Sequence, residues 1–216
     1  MEKSSVESIV RALNDAPARY LIAGGLAVVA HGYVRFTADL DLILDLEESS
    51  LRRALAALAG LGYRPRAPVP IEDFADRAKR ESWVREKGLK VFSLSSPQHP
   101  ATEIDVFVEV PFDFGTAYAA ASRQDLAPGV SALFVGLADL LRMKRAAGRK
   151  PCAGSAAMAD GASQWERGWE GHERAQRARL ARLTLAEKLA WLEQAQRLAA
   201  ALGRSSSGKQ VKGPPS

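Results

Sequence analysis

The sequence has one cysteine in 216 residues and no long hydrophobic run. A single thiol, that of Cys152, excludes an intramolecular disulfide and a thiolate zinc cluster, and it favours a reducing compartment. The longest apolar run, Tyr20 to Ala30, contains two glycines and is too short to cross a bilayer. No basic segment with a cleavage site precedes it. We therefore expect a cytoplasmic protein without a membrane span or a secretory signal.

The remaining composition is that of an ordinary globular chain, with 47% hydrophobic and 25% charged residues. Its net charge of +5 is unevenly distributed. Residues 1–141 carry 15 Lys/Arg and 19 Asp/Glu, whereas residues 142–216 carry 15 and 6. A basic C-terminal segment can hold a polyanion such as RNA, although a solvated helix with a soluble tail accounts for the same charges.

Hydrophobic periodicity and turn residues predict an alternation of helices and strands. The predicted helices span residues 5–14, 26–30, 45–60 and 137–147, and the predicted strands span 19–23, 39–44, 89–94 and 103–110. Ser4 with Glu7 would cap the first helix, and Asp45 with Glu48 the third. Residues 64–88 contain three prolines and are interpreted as a loop-rich insertion with room for one helix.

The composition changes after residue 149, which divides the chain. We predict a domain over residues 1–149, a linker rich in Ala, Gly and Ser over 150–164, a helical extension over 165–203 and a disordered tail over 204–216. Thr184 and Glu187 have the spacing of a capping box for the helix of the extension, which is expected to stop at Gly203.

Three aspartates have the pattern of a metal site. Asp39 and Asp41 are two apart in a predicted strand, so their carboxylates lie on one face, and Asp105 has the same alternation in another strand. If these strands are neighbours, three hard oxygen ligands converge, as two ions that clamp a phosphoryl displacement require. A lone Asp-x-Asp is more often just a strand edge beside a turn.

Gly24 and Gly25 lie between a predicted strand and a predicted helix. Such a corner offers backbone N–H groups to a phosphate where no side chain obstructs it, although a glycine pair alone is usually a plain turn. A phosphate-binding role is therefore indicated only by the combination of the turn, the helix and the two aspartates on one strand face within a short segment.

The glycine pair, thirteen further residues, Asp-Leu-Asp and a later Ile-Asp-Val-Phe strand together resemble the signature of the nucleotidyltransferase superfamily related to DNA polymerase β. Within it, AGGLAVVAHGYVRFTADLDLIL is similar to bacterial nucleotidyltransferases grouped with the abortive-infection (AbiEii) toxins. The resemblance implies an α+β nucleotidyltransferase fold, in which helices flank a mixed β-sheet, here followed by the C-terminal helical extension. It also implies transfer of a nucleoside monophosphate from an NTP, such as ATP, to an acceptor hydroxyl with release of pyrophosphate.

The resemblance also assigns roles. Asp39, Asp41 and Asp105 would be the catalytic carboxylates and the ligands of two Mg²⁺ ions, for which Mn²⁺ is an alternative, and Gly24 and Gly25 would form the glycine motif. Arg35 and Lys144 are candidates for cations near the phosphates, although either can be a solvated surface residue. Thr37 would hydrogen-bond a phosphate or cap the local turn.

Other residues near the motifs have plainer interpretations. His31 is expected to pack or cap rather than act as an acid or base, and Glu103 to be a solvated strand-end carboxylate. Trp83, Trp165, Trp169 and Trp191 are expected in core or interface packing rather than base stacking.

The expected partners are an NTP and an acceptor, which would be tRNA or another RNA, a small hydroxylated molecule or a protein. The toxin-like group implies a cognate antitoxin. After the AGR of residues 147–149, the chain departs from the family pattern, so the last core helix is expected to be missing. The alternative function is a non-catalytic nucleotide-binding module with a degenerate transferase core, in which residues 165–203 form an interaction helix.

Overall fold

The centre of the computed structural model is a seven-stranded sheet with the order β3-β4-β5-β2-β1-β7-β6. The structure describes residues 1–33, 35–147, 178, 180 and 182–206, and only the backbone of residues 198–206. The strands are β1 (Tyr20–Ile22), β2 (Asp39–Leu44), β3 (Arg64–Pro65), β4 (Val91–Ser95), β5 (Glu103–Phe107), β6 (Ser122–Ala127) and β7 (Val130–Phe134). The pairs β2/β5 and β1/β7 are parallel and the other four are antiparallel.

Helices flank this sheet, so the expected class, a mixed sheet with flanking helices, is confirmed. They are α1 (Lys3–Asp15), α2 (Gly24–Ala30), α3 (Glu48–Gly60), α4 (Arg77–Lys87), α5 (Phe114–Ala119), α6 (Leu137–Ala146) and α7 (Leu185–Ser206), with a 3₁₀ helix at Ile71–Ala75.

The two faces of the central strands differ in polarity because side chains alternate along a strand. In β2, Leu40 and Leu42 are fully buried, as are Ile104 and Val106 in β5. These residues share one hydrophobic core with apolar side chains of α1 and α3. The opposite face of β2 and β5 carries acidic residues, and the apolar face therefore fixes which way the acidic residues point.

Two of the predicted helix caps are wrong. The N-cap of α1 is Glu2, so Ser4 lies inside the helix. In α3 the capping side chain is Glu47, which accepts hydrogen bonds from the backbone N–H groups of Ser49 and Ser50. The carboxylate of Asp45 instead forms an ion pair with Arg19 at 2.7 Å.

Two segments contain more regular structure than the sequence predicted. The insertion over residues 64–88 contains β3, the 3₁₀ helix and α4, and β3 pairs with β4 in the sheet. Residues 114–134, for which no element was predicted, form α5 and the β6–β7 hairpin.

Helix α7 packs on the domain. Its start has the predicted capping box: the Thr184 hydroxyl accepts from the Glu187 N–H, and the Glu187 carboxylate accepts from the Thr184 N–H. Leu185, Leu189 and Leu192 are at most 4% exposed and belong to the main core. The helix runs past the expected stop at Gly203 to Ser206, so the predicted tail begins too early.

Helix α7 buries its leucines against the domain of the same chain. The expected loss of the last core helix and the interaction helix of the alternative function stay predictions. The predicted linker, residues 150–164, and Trp165 and Trp169 lie outside the described residues. Within the described part, no helix has the length and apolarity that a membrane crossing needs.

Candidate functional site

The acidic residues meet where β2 and β5 run side by side. The parallel register pairs Asp41 with Asp105 and Asp39 with Glu103. Paired residues of neighbouring strands present their side chains on the same face, with the strands about 4.8 Å apart. The register therefore places Asp39, Asp41 and Asp105 on one face of the sheet.

The depth of the three carboxylates differs. Asp39 is exposed at the start of β2, whereas Asp41 and Asp105 are half-buried farther along the strands. Anions at this spacing repel each other unless a cation or hydrogen-bond donors compensate them. The pair at the centre, Asp41 and Asp105, has the least access to solvent.

Gly24 and Gly25 make room for the side chains of the site. A Cβ on Gly24 would lie 1.7 Å from Oδ2 of Asp41, and a Cβ on Gly25 would lie 2.4 Å from Oγ1 of Thr37. Gly24 also has a φ of +59°, which favours glycine. The N–H of Ala23 donates to the carbonyl of Asp41 at 2.9 Å and fastens the corner to β2. The glycine pair thus lets the Asp41 carboxylate and Thr37 approach the start of α2.

Sequence reasoning missed the partner of Asp105. Ser93 lies opposite Asp105 in the antiparallel β4/β5 register, and its hydroxyl donates to Oδ1 of Asp105 at 2.6 Å. The alternation of Val-Phe-Ser-Leu-Ser in β4, with Phe92 and Leu94 buried, was the available signal that Ser93 and Ser95 share a face. The register that places Ser93 beside Asp105 was not available from the sequence.

Thr37 has a local structural role. Its hydroxyl donates to the carbonyl of Asp39 at 3.2 Å, and its own carbonyl accepts from Nε2 of Gln196 in α7 at 3.4 Å. Gln196 also contacts the amine of Met1. Burial lowers the pKa of that amine, and the charges of Glu2, Asp39 and Glu193 oppose the shift. Helix α7 therefore contacts the loop that leads into β2.

The two candidate cations, Arg35 and Lys144, lie on different parts of the fold. Arg35 is exposed, and its Nε lies 3.4 Å from the carbonyl oxygen of Phe36, in the same loop. Lys144, on α6, borders a small recess with Val28, His31 and Tyr33. This recess is at the C-terminal end of α2, about 10 Å along the helix from Gly24.

Three other residues considered in the sequence have structural roles. His31 is the C-cap of α2, and its Nε2 lies 2.8 Å from the carbonyl oxygen of Val135. The Glu103 carboxylate forms an ion pair with Arg66 at 2.8 Å. Trp83 stacks on Phe92 with the ring centroids 5.5 Å apart, as expected for a packing role.

The donor set fits a hard divalent cation, because three carboxylates on neighbouring strands are oxygen ligands of the kind that Mg²⁺ binds. As the side chains stand, no three His, Cys, Asp or Glu side chains of the described residues are grouped closely enough to hold an ion. One oxygen of Asp105 is already engaged with Ser93. The carboxylate oxygens are therefore suitable ligands for Mg²⁺, but the three side chains are not close enough together in this structure to bind one ion.

A cavity lies elsewhere, beside α5 and α6. It is lined mainly by residues from Pro111 to Ala117 and by Asp139, Arg142 and Met143. The six residues of the motifs, Gly24, Gly25, Thr37, Asp39, Asp41 and Asp105, are not among those that line it. The candidate site is thus separate from this cavity and lies on the polar face of β2 and β5.

The chain matches no protein-family model and no curated protein. Among solved structures it is similar to the crystal structure of ANT(2")-Ia in complex with adenylyl-2"-tobramycin, with 17% sequence identity over 92% of this chain and 98% of that chain, and a TM-score of 0.45. A likeness at this level carries no inference about activity.

Proposed function

We propose that this protein is a metal-dependent nucleotidyltransferase of the superfamily related to DNA polymerase β, close to its toxin-like bacterial members. The observation that carries the proposal is the parallel register of Asp41 with Asp105 beside a glycine corner that admits the Asp41 carboxylate. The resemblance of the Gly-Gly and Asp-Leu-Asp motifs to that superfamily supports it, and so does the mixed sheet with flanking helices.

In this proposal Asp39, Asp41 and Asp105 hold Mg²⁺, or Mn²⁺ in its place. The bound ions would neutralise charge on the triphosphate and make the acceptor hydroxyl more acidic. Asp105 lies at the centre of the face, where a carboxylate can take the proton that the attacking hydroxyl loses. The attack forms a bond from the acceptor oxygen to the α-phosphorus, and pyrophosphate leaves with the electrons of the broken bond.

In this proposal the glycine pair, Thr37 and the two candidate cations would bind the nucleotide. Gly24 and Gly25 hold the chain close to β2, and Thr37 lies against Gly25. Arg35 is exposed in the adjoining loop, where it would pair with a phosphate of the bound nucleotide. Lys144 is farther away, so its proposed role depends on how far a bound triphosphate extends.

RNA is the acceptor that the charge distribution favours, because the excess of Lys and Arg over Asp and Glu is confined to residues 142–216. An acceptor tRNA and a neutralising antitoxin would fit the toxin-like resemblance. A small hydroxylated molecule and a protein side chain are the other two acceptors to be compared.

Mass spectrometry of candidate acceptors tests this proposal. The purified chain is incubated with Mg²⁺, each NTP in turn, and a tRNA pool, a panel of hydroxylated small molecules or a protein extract. A mass gain of one nucleotide identifies both the base and the acceptor. Asp41→Asn should abolish the gain, whereas Asp15→Asn, at an exposed position at the end of α1, should leave it unchanged. No mass gain in any acceptor contradicts the proposal.

The ungrouped carboxylates favour a second candidate, the non-catalytic nucleotide-binding module. Pyrophosphate release separates the two functions. A transferase releases pyrophosphate in the presence of its acceptor, whereas the module binds NTP with Mg²⁺ and releases none.

A further inference from the structure

Strand β4 brings a hydroxyl to the carboxylate face. Ser93 lies opposite Asp105, and the 2.6 Å distance between Oγ and Oδ1 is in the range of a charge-assisted O–H···O⁻ hydrogen bond. Its neighbours Phe92 and Leu94 are 3% and 0% exposed on the opposite face of the sheet. The two buried neighbours therefore hold the backbone of Ser93 in place, with its hydroxyl within hydrogen-bond distance of Asp105.

We propose that Ser93 is a positioning residue, which orients the Asp105 carboxylate for the cation and the acceptor hydroxyl. This inference rests on the proposed function. A carboxylate turns about its side-chain bonds unless something fixes it. The hydroxyl of Ser93 binds Oδ1 of Asp105 from β4, and Asp41 is the register partner of Asp105 on the other side, in β2.

The same strand offers a matched control. Ser95 is two residues on, half-buried on the same face, and its register partner is Arg64 of β3 and not an aspartate. A serine that only fills space or aids strand formation would behave alike at both positions. A serine that orients Asp105 would act at position 93 alone.

Binding of Mn²⁺ in the absence of turnover tests the proposal directly. The free ion is counted by electron paramagnetic resonance during titration of the wild type and of the variants Ser93→Ala, Ser93→Thr, Ser95→Ala and Asp105→Asn. Loss of a hydrogen-bond partner behind a metal ligand weakens metal binding by about tenfold or more. We expect that loss in Ser93→Ala, near wild-type affinity in Ser93→Thr, which keeps the hydroxyl, and no change in Ser95→Ala.

Kinetics give the second readout. Ser93→Ala should lower kcat with little change in the KM for NTP, because the corner that binds the triphosphate is intact. Thermal unfolding of each variant checks that the fold is retained.

The outcomes separate this inference from the proposed function. Tight Mn²⁺ binding that Asp105→Asn weakens but Ser93→Ala does not overturns the role of Ser93 alone. Equal weakening in Ser93→Ala and Ser93→Thr also overturns it, because packing and not the hydroxyl is then responsible. If the wild type binds no Mn²⁺, with or without NTP, both proposals fall together.

Discussion

Gly24 is the residue at which backbone conformation and site geometry constrain each other most tightly. Its φ of +59° is unfavourable for other residues, and the place of its missing Cβ is filled by the Asp41 carboxylate. A glycine before a helix is a signal in the sequence. The sequence does not show that Gly24 makes room for Asp41, seventeen residues later, because this contact depends on how β1 and β2 pair.

The variant Gly24→Ala should lose stability and transfer activity together. The new methyl group has to displace the Asp41 carboxylate, and we expect a loss of about 1–3 kcal/mol in the free energy of unfolding on top of the backbone penalty. Chemical denaturation and a nucleotide-transfer assay measure the two effects.

Gly88→Ala is the matched control for this variant. Gly88 ends α4 with a φ of +61°, and a Cβ there would meet nothing within 4 Å. It should show the backbone penalty alone, about 1 kcal/mol, and retain activity. Equal losses at the two glycines would mean that crowding at Asp41 is unimportant.

Among the secondary-structure elements, helix α7 shows which features a sequence pattern can predict and which it cannot. The capping box at Thr184 and Glu187 and the leucine stripe were visible, and both are confirmed. The surface that the stripe covers was not visible, because an amphipathic pattern specifies an apolar face and not its partner.

The hairpin of β6 and β7 was missed for a different reason. Pro128 and Gly129 form the two-residue connection, and Gly129 has a φ of +72°, so a turn signal was present. However, β6 carries Arg123, Gln124 and Asp125 and lies at the edge of the sheet. One exposed face left it without the apolar run that marked the central strands.

Truncation of a leucine in α7 should destabilise the whole domain if the helix is part of its core. Leu189 is 3% exposed. Leu189→Ala should therefore reduce the free energy of unfolding by about 2–4 kcal/mol, measured by urea denaturation. Gln194→Ala, at an exposed position of the same helix, should change it by less than about 0.5 kcal/mol. A neutral Leu189→Ala would instead favour the interaction helix of the alternative function.

Lys188 gives α7 a pH dependence. Its side chain is buried, and burial lowers its pKa from the ordinary value of 10.5. The unfolded chain then binds more protons than the folded one between the lowered pKa and 10.5, so the free energy of unfolding rises with pH across that interval. Lys188→Met should be more stable than the wild type at neutral pH and should lose this rise.

Urea denaturation from about pH 7 to about pH 10 measures the effect of Lys188. Lys87→Met, at an exposed position of α4, should keep the wild-type slope. An unchanged slope in Lys188→Met would show that the lysine is solvated in solution.

At the scale of the whole molecule, one face of β2 and β5 is buried in the core and the other carries carboxylates. The buried face follows from the alternation of apolar and acidic residues along β2 and β5. The common face of Asp39, Asp41 and Asp105 was therefore predictable from their spacing. The adjacency of β2 and β5, which are about 60 residues apart in the chain, required the fold.

Ion binding at this face should be linked to global unfolding. An ion that binds the folded state alone stabilises it by about 2.7 kcal/mol at a concentration one hundred times its Kd. For a chain of this size we expect Mg²⁺ to raise Tm by roughly 5–10 °C, measured by differential scanning fluorimetry at constant ionic strength. The rise should vanish in Asp41→Asn, because the remaining carboxylates no longer form the pair at the centre of the face. Asp125→Asn, on the edge strand β6, removes a carboxylate of equal charge away from β2 and β5 and should keep the full rise. An equal rise in Asp41→Asn would place the bound ions elsewhere and remove the physical basis for a catalytic metal at this face.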